Sequence, residues 1–300
     1  MDGEDAIYNL RNDHVSMLKK IRNAINKYYI NFVFSEGFSN MPIKEISDIC
    51  HNNNIPFHWW AIEDPVTPHI GENIAKNKLA DFVWTTTIEF IDKYKNLGVD
   101  SDLLLFACNP DFQKPVNGED RFKHDISVVG TNYSNRYAKV REFLFPLIEK
   151  DFDVKIYGLW WENPDALVNI IKYKDKNVYW KPKGYNQLPY EWLPIVVNSS
   201  KIMYGLNCSD LSITQTSCRP YETLASAENS VYLAWHTKAQ DNIFGDYVIQ
   251  AKTGREMVQK AEEILSWSDE KRKDFAKKAR EFVIKEHTYK HRAKQIIDKL

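Results

Sequence analysis

Cysteine is scarce in this chain: there are four, Cys50, Cys108, Cys208 and Cys218, in 300 residues. They form no C-x-x-C and no close group with histidine. This excludes a disulfide-stapled fold and a zinc site, and reads as reduced thiols in a cytoplasmic protein. A surplus of one charge is also lacking. Lys and Arg number 40 against 41 Asp and Glu, a net charge of -1, so neither nucleic acid nor an anionic membrane is expected as the main partner. No apolar stretch approaches spanning length, and the acidic start MDGEDAIYNL lacks the basic and apolar regions of a secretory signal. No G-x-G-x-x-G follows a strand and no G-x-x-x-x-G-K-[ST] occurs, which removes support for nicotinamide and P-loop chemistry. Histidines nowhere form a ligand set. HTYKH (287–291) places two at i and i+4 without a third ligand nearby, and reads as a helix face with both rings solvated. No metal and no resident cofactor are expected. Internal repeats and low-complexity tracts are missing too.

What is present is a rhythm of short apolar runs, each followed by a polar stretch of helical period. Residues 4–28 read as a helix, with Ile7, Leu10, His14, Leu18, Ile21 and Ile25 on one stripe. Strand-like runs follow at 30–37, 55–64, 81–87 and 102–110. Residues 111–124, DFQKPVNGEDRFKH, have no period and read as a linker. The rhythm then restarts with strands at 126–130, 153–158, 177–180, 201–207, 231–235 and 246–251, and a helix from about 136 to 150. Asn163 with Pro164 marks another helix start, and Thr253 with Glu256 makes a capping box. A charged helix carries Phe275, Ala279 and Phe282 on one face. Strands alternating with helices imply an α/β fold with parallel, doubly wound, Rossmann-like sheets. The length suits two domains, 1–115 and 116–286, with a closing segment 287–300. Two such domains would place a cleft between the carboxyl ends of their sheets, where open α/β sheets bind ligands. The pairs Trp59-Trp60 and Trp160-Trp161 fit core packing better than stacking on a sugar.

The stretch RPYETLASAENSVYLAW (219–235) poses the main question. With Pro220 at the first helical position, Glu222 is the third. Its carboxylate there favours the helix dipole by roughly 0.3–1 kcal/mol. The same group could instead accept hydrogen bonds from two adjacent hydroxyls, and a ribose offers such a pair. Both readings stand on these residues alone.

RPYETLAS resembles the R-x-[FY]-E-x-x-A segment of the spore-maturation CgeB-like glycosyltransferases, a GT-B family. EFVIKEHTYKHRAKQI (281–296) is similar to the end of their second domain and ISVVGTNYSNR (126–136) to its opening. KGYNQLPYEWLPIVVNSSKIMYGLN (183–207) is similar to its centre and FHWWAIEDP (57–65) to an aromatic-acidic run of the first domain. The resemblance spans residues from about 30 onward and is strongest over 124–296. It implies a GT-B fold of two Rossmann-like doubly wound domains facing a cleft, with 287–300 crossing back to the first. It implies transfer of a sugar from a nucleotide-diphosphate donor, a UDP-sugar foremost, to a hydroxyl on a glycan, protein or small-molecule acceptor, without a metal. In that frame Glu222 holds the ribose, beside Tyr221. Arg219, Arg136 and Lys183 meet the diphosphate, where GT-B enzymes use basic side chains and helix N-termini. Gly130 lets backbone approach the ligand. On the acceptor side Asp64 or Glu63 would be the base, with His58 and His69 nearby. Glu222→Gln is then expected to weaken nucleotide binding with little loss of stability. The sequence departs from the family at Ala227, where glycine is common, and at Thr214, where a second glutamate would fall. It also opens on a helix, which leaves open whether one βα unit of the first domain is absent. A non-catalytic nucleotide-sugar-binding or scaffold protein on the same fold is the alternative, and a nucleotide-sugar epimerase a third. Donor sugar, stereochemistry and oligomeric state are not legible.

Overall fold

A computed structural model describes residues 14–37, 41–162, 170–180, 187–207 and 210–300. Residues 4–13 of the expected first helix, the Asn163–Pro164 helix start, Lys183 and Cys208 lie outside the described residues. The chain divides into two compact units, Met1–Leu105 and Phe106–Leu300. The division falls ahead of the polar stretch 111–124, which belongs wholly to the second unit.

In the first unit, β1 (Val33–Glu36), β2 (Phe57–Ala61), β3 (Phe82–Thr85) and β4 (Asp100–Leu103) form a parallel sheet in the order β1-β2-β3-β4. Every residue of β2 is buried, the reason FHWWA lacks the polar-apolar alternation of a half-exposed strand. Its register sets Trp59 opposite Val83 and Trp60 opposite Trp84. Both members of the Trp59-Trp60 pair are buried, and Trp60 Nε1 donates to the Leu104 carbonyl at 2.9 Å. The helix Ile43–Asn52 contributes Ile46 and Cys50 to the core on one side of β2, with Ile74 and Tyr94 from later helices. The run 102–110 is not one strand. Only Asp102 and Leu103 of it lie in β4, and Cys108 leaves to pair its N–H and C=O with His287 and Tyr289.

The second unit holds β5 (His124–Val129), β6 (Val154–Tyr157), β7 (Ser200–Gly205), β8 (Val231–Trp235) and β9 (Ile249–Ala251), all parallel, in the order β6-β5-β7-β8-β9. From β5 the chain goes to one side, and from β7 to the other. The order therefore reverses between β5 and β7, and the crevice at their carboxyl ends is the switch point where open α/β sheets take ligands. The first unit's described strands show no such reversal.

Local details follow the sequence with four corrections. The expected strand 177–180 is only a single bridge, Ile156 to Tyr179. The helix expected over 136–150 contains a π turn, Val140–Leu144, just ahead of Pro146. Proline cannot donate to the Glu142 carbonyl, and Gly254 approaches that oxygen so closely that a Cβ there would sit 2.1 Å from it. Thr253 caps the Gly254–Ser266 helix by accepting from Glu256 N–H, but the Glu256 carboxylate reaches back to Lys252 N–H rather than to Thr253. The fourth correction concerns HTYKH. His287 ends the Asp269–Glu286 helix and packs against Tyr221, Phe244 and Phe282, and only His291 lies on the next helix, Tyr289–Ile297. Burial, then the Arg292 charge, pushes the His287 ring down to about 4. Arg292 also donates to the Phe106 carbonyl. No helix among the described residues is long and apolar enough to cross a membrane.

Candidate functional site

The helix Arg219–Ser226 follows the loop that leaves the carboxyl end of β7, beside the switch point. Seven of its residues, Pro220 to Ser226, are buried, so this helix is held by tertiary contacts rather than by an amphipathic face. Its last carbonyls are met by side chains: Arg280 Nε donates to Ala225 at 3.1 Å, and Asn198 Nδ2 to Ser226 at 2.8 Å. The helix begins at Arg219, one residue earlier than expected, and the Glu222 amide makes a helical bond to Cys218 O at 3.2 Å.

Glu222 is not engaged with the free amides of the first turn. Tyr190 Oη donates to its Oε1 at 2.6 Å, and Arg219 Nη1 donates to its Oε2 at 2.7 Å. The Glu222 side chain is 7% exposed and that of Arg219 21%. Burying a carboxylate is costly unless it is paired and hydrogen-bonded, and here one donor on each oxygen offsets the cost. Tyr190 is itself held: Gln113 Nε2 donates to its oxygen at 2.6 Å, and the Phe112 ring stacks on it with centroids 5.1 Å apart. Burial and the Glu222 carboxylate both raise the Tyr190 phenol far above its usual range, so it remains a donor. A carboxylate has about four acceptor directions; each oxygen of Glu222 keeps capacity for a further donor.

A second group sits on β5. Gly130 follows the strand, and a Cβ there would meet Leu206 Cδ1 at 2.9 Å, across the β5–β7 switch. Arg136 is buried close by, its Nη1 donating to the Thr131 carbonyl at 3.0 Å and its guanidinium over the Tyr133 ring. Glycine is required at Gly158, whose φ is +145° and whose Cβ would fall 2.1 Å from the Gly130 carbonyl. The structure thus brings Arg219 to Glu222, and Arg136 to Gly130.

Several expected site residues are placed elsewhere. Tyr221 is 0% exposed, its ring against Phe244 and His287, and burial pushes its phenol up to about 12. Its side chain packs in the core. His58 is buried among Phe32, Phe82 and Trp84, its Nδ1 accepts from Trp84 Nε1 at 3.2 Å, and burial lowers its pKa. Asp64 is 2% exposed and accepts from Tyr94 at 2.5 Å and Thr85 at 3.0 Å, a brace beneath the sheet edge. Its carboxyl is nonetheless raised to about 6 by burial, which those two bonds only partly oppose. Glu63 is half-buried and accepts from Thr67 at 2.9 Å, while His69 is exposed. Of the acidic pair, Glu63 alone has appreciable access to solvent. Ala227 has φ -73°, an ordinary value for any residue, and packs in the core at the far end of the helix from Arg219. An alanine therefore fits there without backbone strain. Thr214 donates its amide to Ser212 Oγ in the loop before the helix.

A family model described as glycosyl transferase-like matches residues 134–298, more than half of the chain. The chain belongs to the glycosyl transferase-like family. The match covers β6 to β9, the Glu222 helix and the closing helices. No curated protein sequence matches the chain. Among solved structures, it resembles the N-terminal domain of Candida albicans trehalose-6-phosphate phosphatase at TM-score 0.63 and 8% identity, covering 99% of this chain and 75% of that one. It resembles Anabaena HepE in complex with UDP and glucose at TM-score 0.64 and 10% identity, covering 95% and 81%. The UDP-forming α,α-trehalose-phosphate synthase of Burkholderia vietnamiensis aligns at TM-score 0.60 and 10% identity, over 99% and 80%. At such identities the likeness concerns the fold, and the fold of this glycosyl transferase-like chain is GT-B, as expected from the sequence.

Tyr190 and Gln113 were missed by sequence reasoning. They lie 32 and 77 positions from the residues they bond, and no spacing rule joins them. The one available signal was Pro189-Tyr190 at a helix start with Glu191 following, which marks a turn and not a ligand.

Proposed function

We infer that this chain is a glycosyltransferase using a nucleotide-diphosphate sugar, with UDP as nucleotide, and that its second unit binds the donor. The observation that carries this is the Arg219–Glu222 pair at the opening of a helix on the carboxyl side of β7, beside the sheet's switch point. The motif RPYETLAS supports placing the chain in the CgeB-like branch. The HepE structure, which holds UDP and glucose, supports UDP. In this reading Glu222 accepts from the two ribose hydroxyls. Arg219, with donors beyond the one given to Glu222, meets the diphosphate, and Gly130 gives the ligand room at the β5 edge. Arg136 adds positive charge there. Fixed cations stabilise the charge that develops on the departing diphosphate, so a metal is not needed for that step. The acceptor is a hydroxyl of a glycan, protein or small molecule, and Glu63 is the accessible carboxylate for its proton. Reduced thiols suit a cytoplasmic setting.

One observation favours a second reading, a donor-binding protein without turnover. Glu222 and Arg219 satisfy each other within the fold, and Thr214 stands where a second carboxylate would contact the sugar. Incubation with a panel of UDP-hexoses, with and without simple glycoside acceptors, separates the two. Release of free UDP above the spontaneous rate is expected. Saturable binding with no release supports the second reading.

A further inference from the structure

Glu222 is oriented from outside its own helix. Asn109 N–H donates to Gln113 Oε1, which fixes which end of the amide is nitrogen. Gln113 Nε2 must then donate to Tyr190 Oη, and the phenol hydrogen is left to go to Glu222 Oε1, with 2.6 Å at each link. The order cannot reverse, because the amide nitrogen only donates and the carboxylate only accepts. Gln113 is 2% exposed, so the chain of bonds is anchored in the interior. Its far end is tied to the fold as well: Cys108 next to Asn109 pairs with His287 and Tyr289. The segment Asn109–Gln113 therefore fixes one oxygen of Glu222 through Tyr190, while Arg219 fixes the other.

We propose that Tyr190 and Gln113 are positioning residues for ribose recognition: the Gln113–Tyr190 relay holds the Glu222 carboxylate in the one rotation that offers an open acceptor on each oxygen to the 2′- and 3′-hydroxyls of the donor nucleotide. The proposal rests on the nucleotide-sugar reading above and extends it to residues outside the motif. Without the Tyr190 hydroxyl, Glu222 is held by Arg219 alone and can turn about its last bond, so that it follows the guanidinium rather than the ribose. Affinity for the base and diphosphate is retained; selectivity for a ribose is lost.

The test is calorimetric titration of UDP and 2′-deoxy-UDP into the full chain and into Tyr190→Phe and Gln113→Met. The unaltered chain is expected to prefer UDP by tenfold or more, about the worth of a hydrogen bond to a charged group. In Tyr190→Phe the preference is expected to fall below about threefold, with the affinity for 2′-deoxy-UDP little changed. Gln113→Met should give a smaller loss in the same direction, and it serves alone if Tyr190→Phe does not fold. A relay that merely braces the fold would lower melting temperature and weaken both ligands equally; an unchanged ratio in a folded variant overturns the proposal while leaving the donor reading intact. Failure of the unaltered chain to bind either nucleotide overturns the donor reading and this proposal together.

Discussion

Glu222 and Arg219 form a pair whose strength follows from its burial. The contact is 2.7 Å, the carboxylate side chain is 7% exposed and the guanidinium 21%. An exposed pair three positions apart on a helix contributes about 0.3–0.5 kcal/mol. Removing one partner of a fully buried pair costs about 3–5 kcal/mol, because a charge is left without a counterpart. This pair lies between: the carboxylate is enclosed, the guanidinium keeps a fifth of its surface in water, and Tyr190 adds a charge-assisted bond. A coupling of about 1–3 kcal/mol is expected for the cycle Glu222→Gln, Arg219→Gln and the double variant. The assay is urea unfolding of the full chain, read through the transition of the unit Phe106–Leu300, with equal slopes required across the four proteins. A coupling below about 0.5 kcal/mol would refute the reasoning, since it would put the pair in the class of solvated surface contacts. The structure also corrects the expectation that Glu222→Gln would spare stability. The glutamine leaves Arg219 without its counter-charge, so stability and nucleotide affinity fall together, and only ligand selectivity separates a brace from a binding group.

The other perturbations probe the sheet edges. Asp64 titrates near 6 in the folded chain against 3.8 when unperturbed. The folded state holds this proton to higher pH than the unfolded state, so its contribution to stability declines as pH rises from about 4 to about 6. Two units correspond to about 3 kcal/mol. The stability difference between the native chain and Asp64→Asn should change by about that amount between pH 4 and pH 7, and a flat difference would contradict the burial argument. Gly158→Ala sets a Cβ 2.1 Å from the Gly130 carbonyl at φ +145°, and should cost about 2–4 kcal/mol in thermal or urea unfolding; a loss under about 0.5 kcal/mol would mean the β5–β6 edge relaxes freely.

The sheets were the most legible part of the chain, for a physical reason. Strands buried on both faces of a parallel sheet carry largely apolar runs, and FHWWA, ISVVG and VYLAW each show one. Where a run continued past the sheet, as at 104–110, hydrophobicity could not tell a strand from a segment buried against helices. The π turn at 140–144 was hidden because its cause, Pro146 beside Gly254, joins distant positions. At the site, Arg219 and Glu222 were legible because they share one helix opening. The surroundings of the catalytic candidates near residue 60 were less legible. Sequence places Asp64 past the carboxyl end of a strand and His58 within it, but cannot show that Tyr94 and Thr85 bond to Asp64 and Trp84 to His58. Tyr190 and Gln113 were invisible for the same cause: side-chain networks are made by the fold and leave no period.

The central claim is that the second unit grips a nucleoside diphosphate through Arg219 and Glu222. Titration calorimetry with UDP, UMP and uridine, on the native chain and on Arg219→Ala, tests it most directly. The account predicts saturable UDP binding that weakens by about tenfold or more in Arg219→Ala, while the already weak uridine binding scarcely changes. Binding of UDP that is indifferent to Arg219, or no saturable binding of any of the three by the native chain, would contradict it.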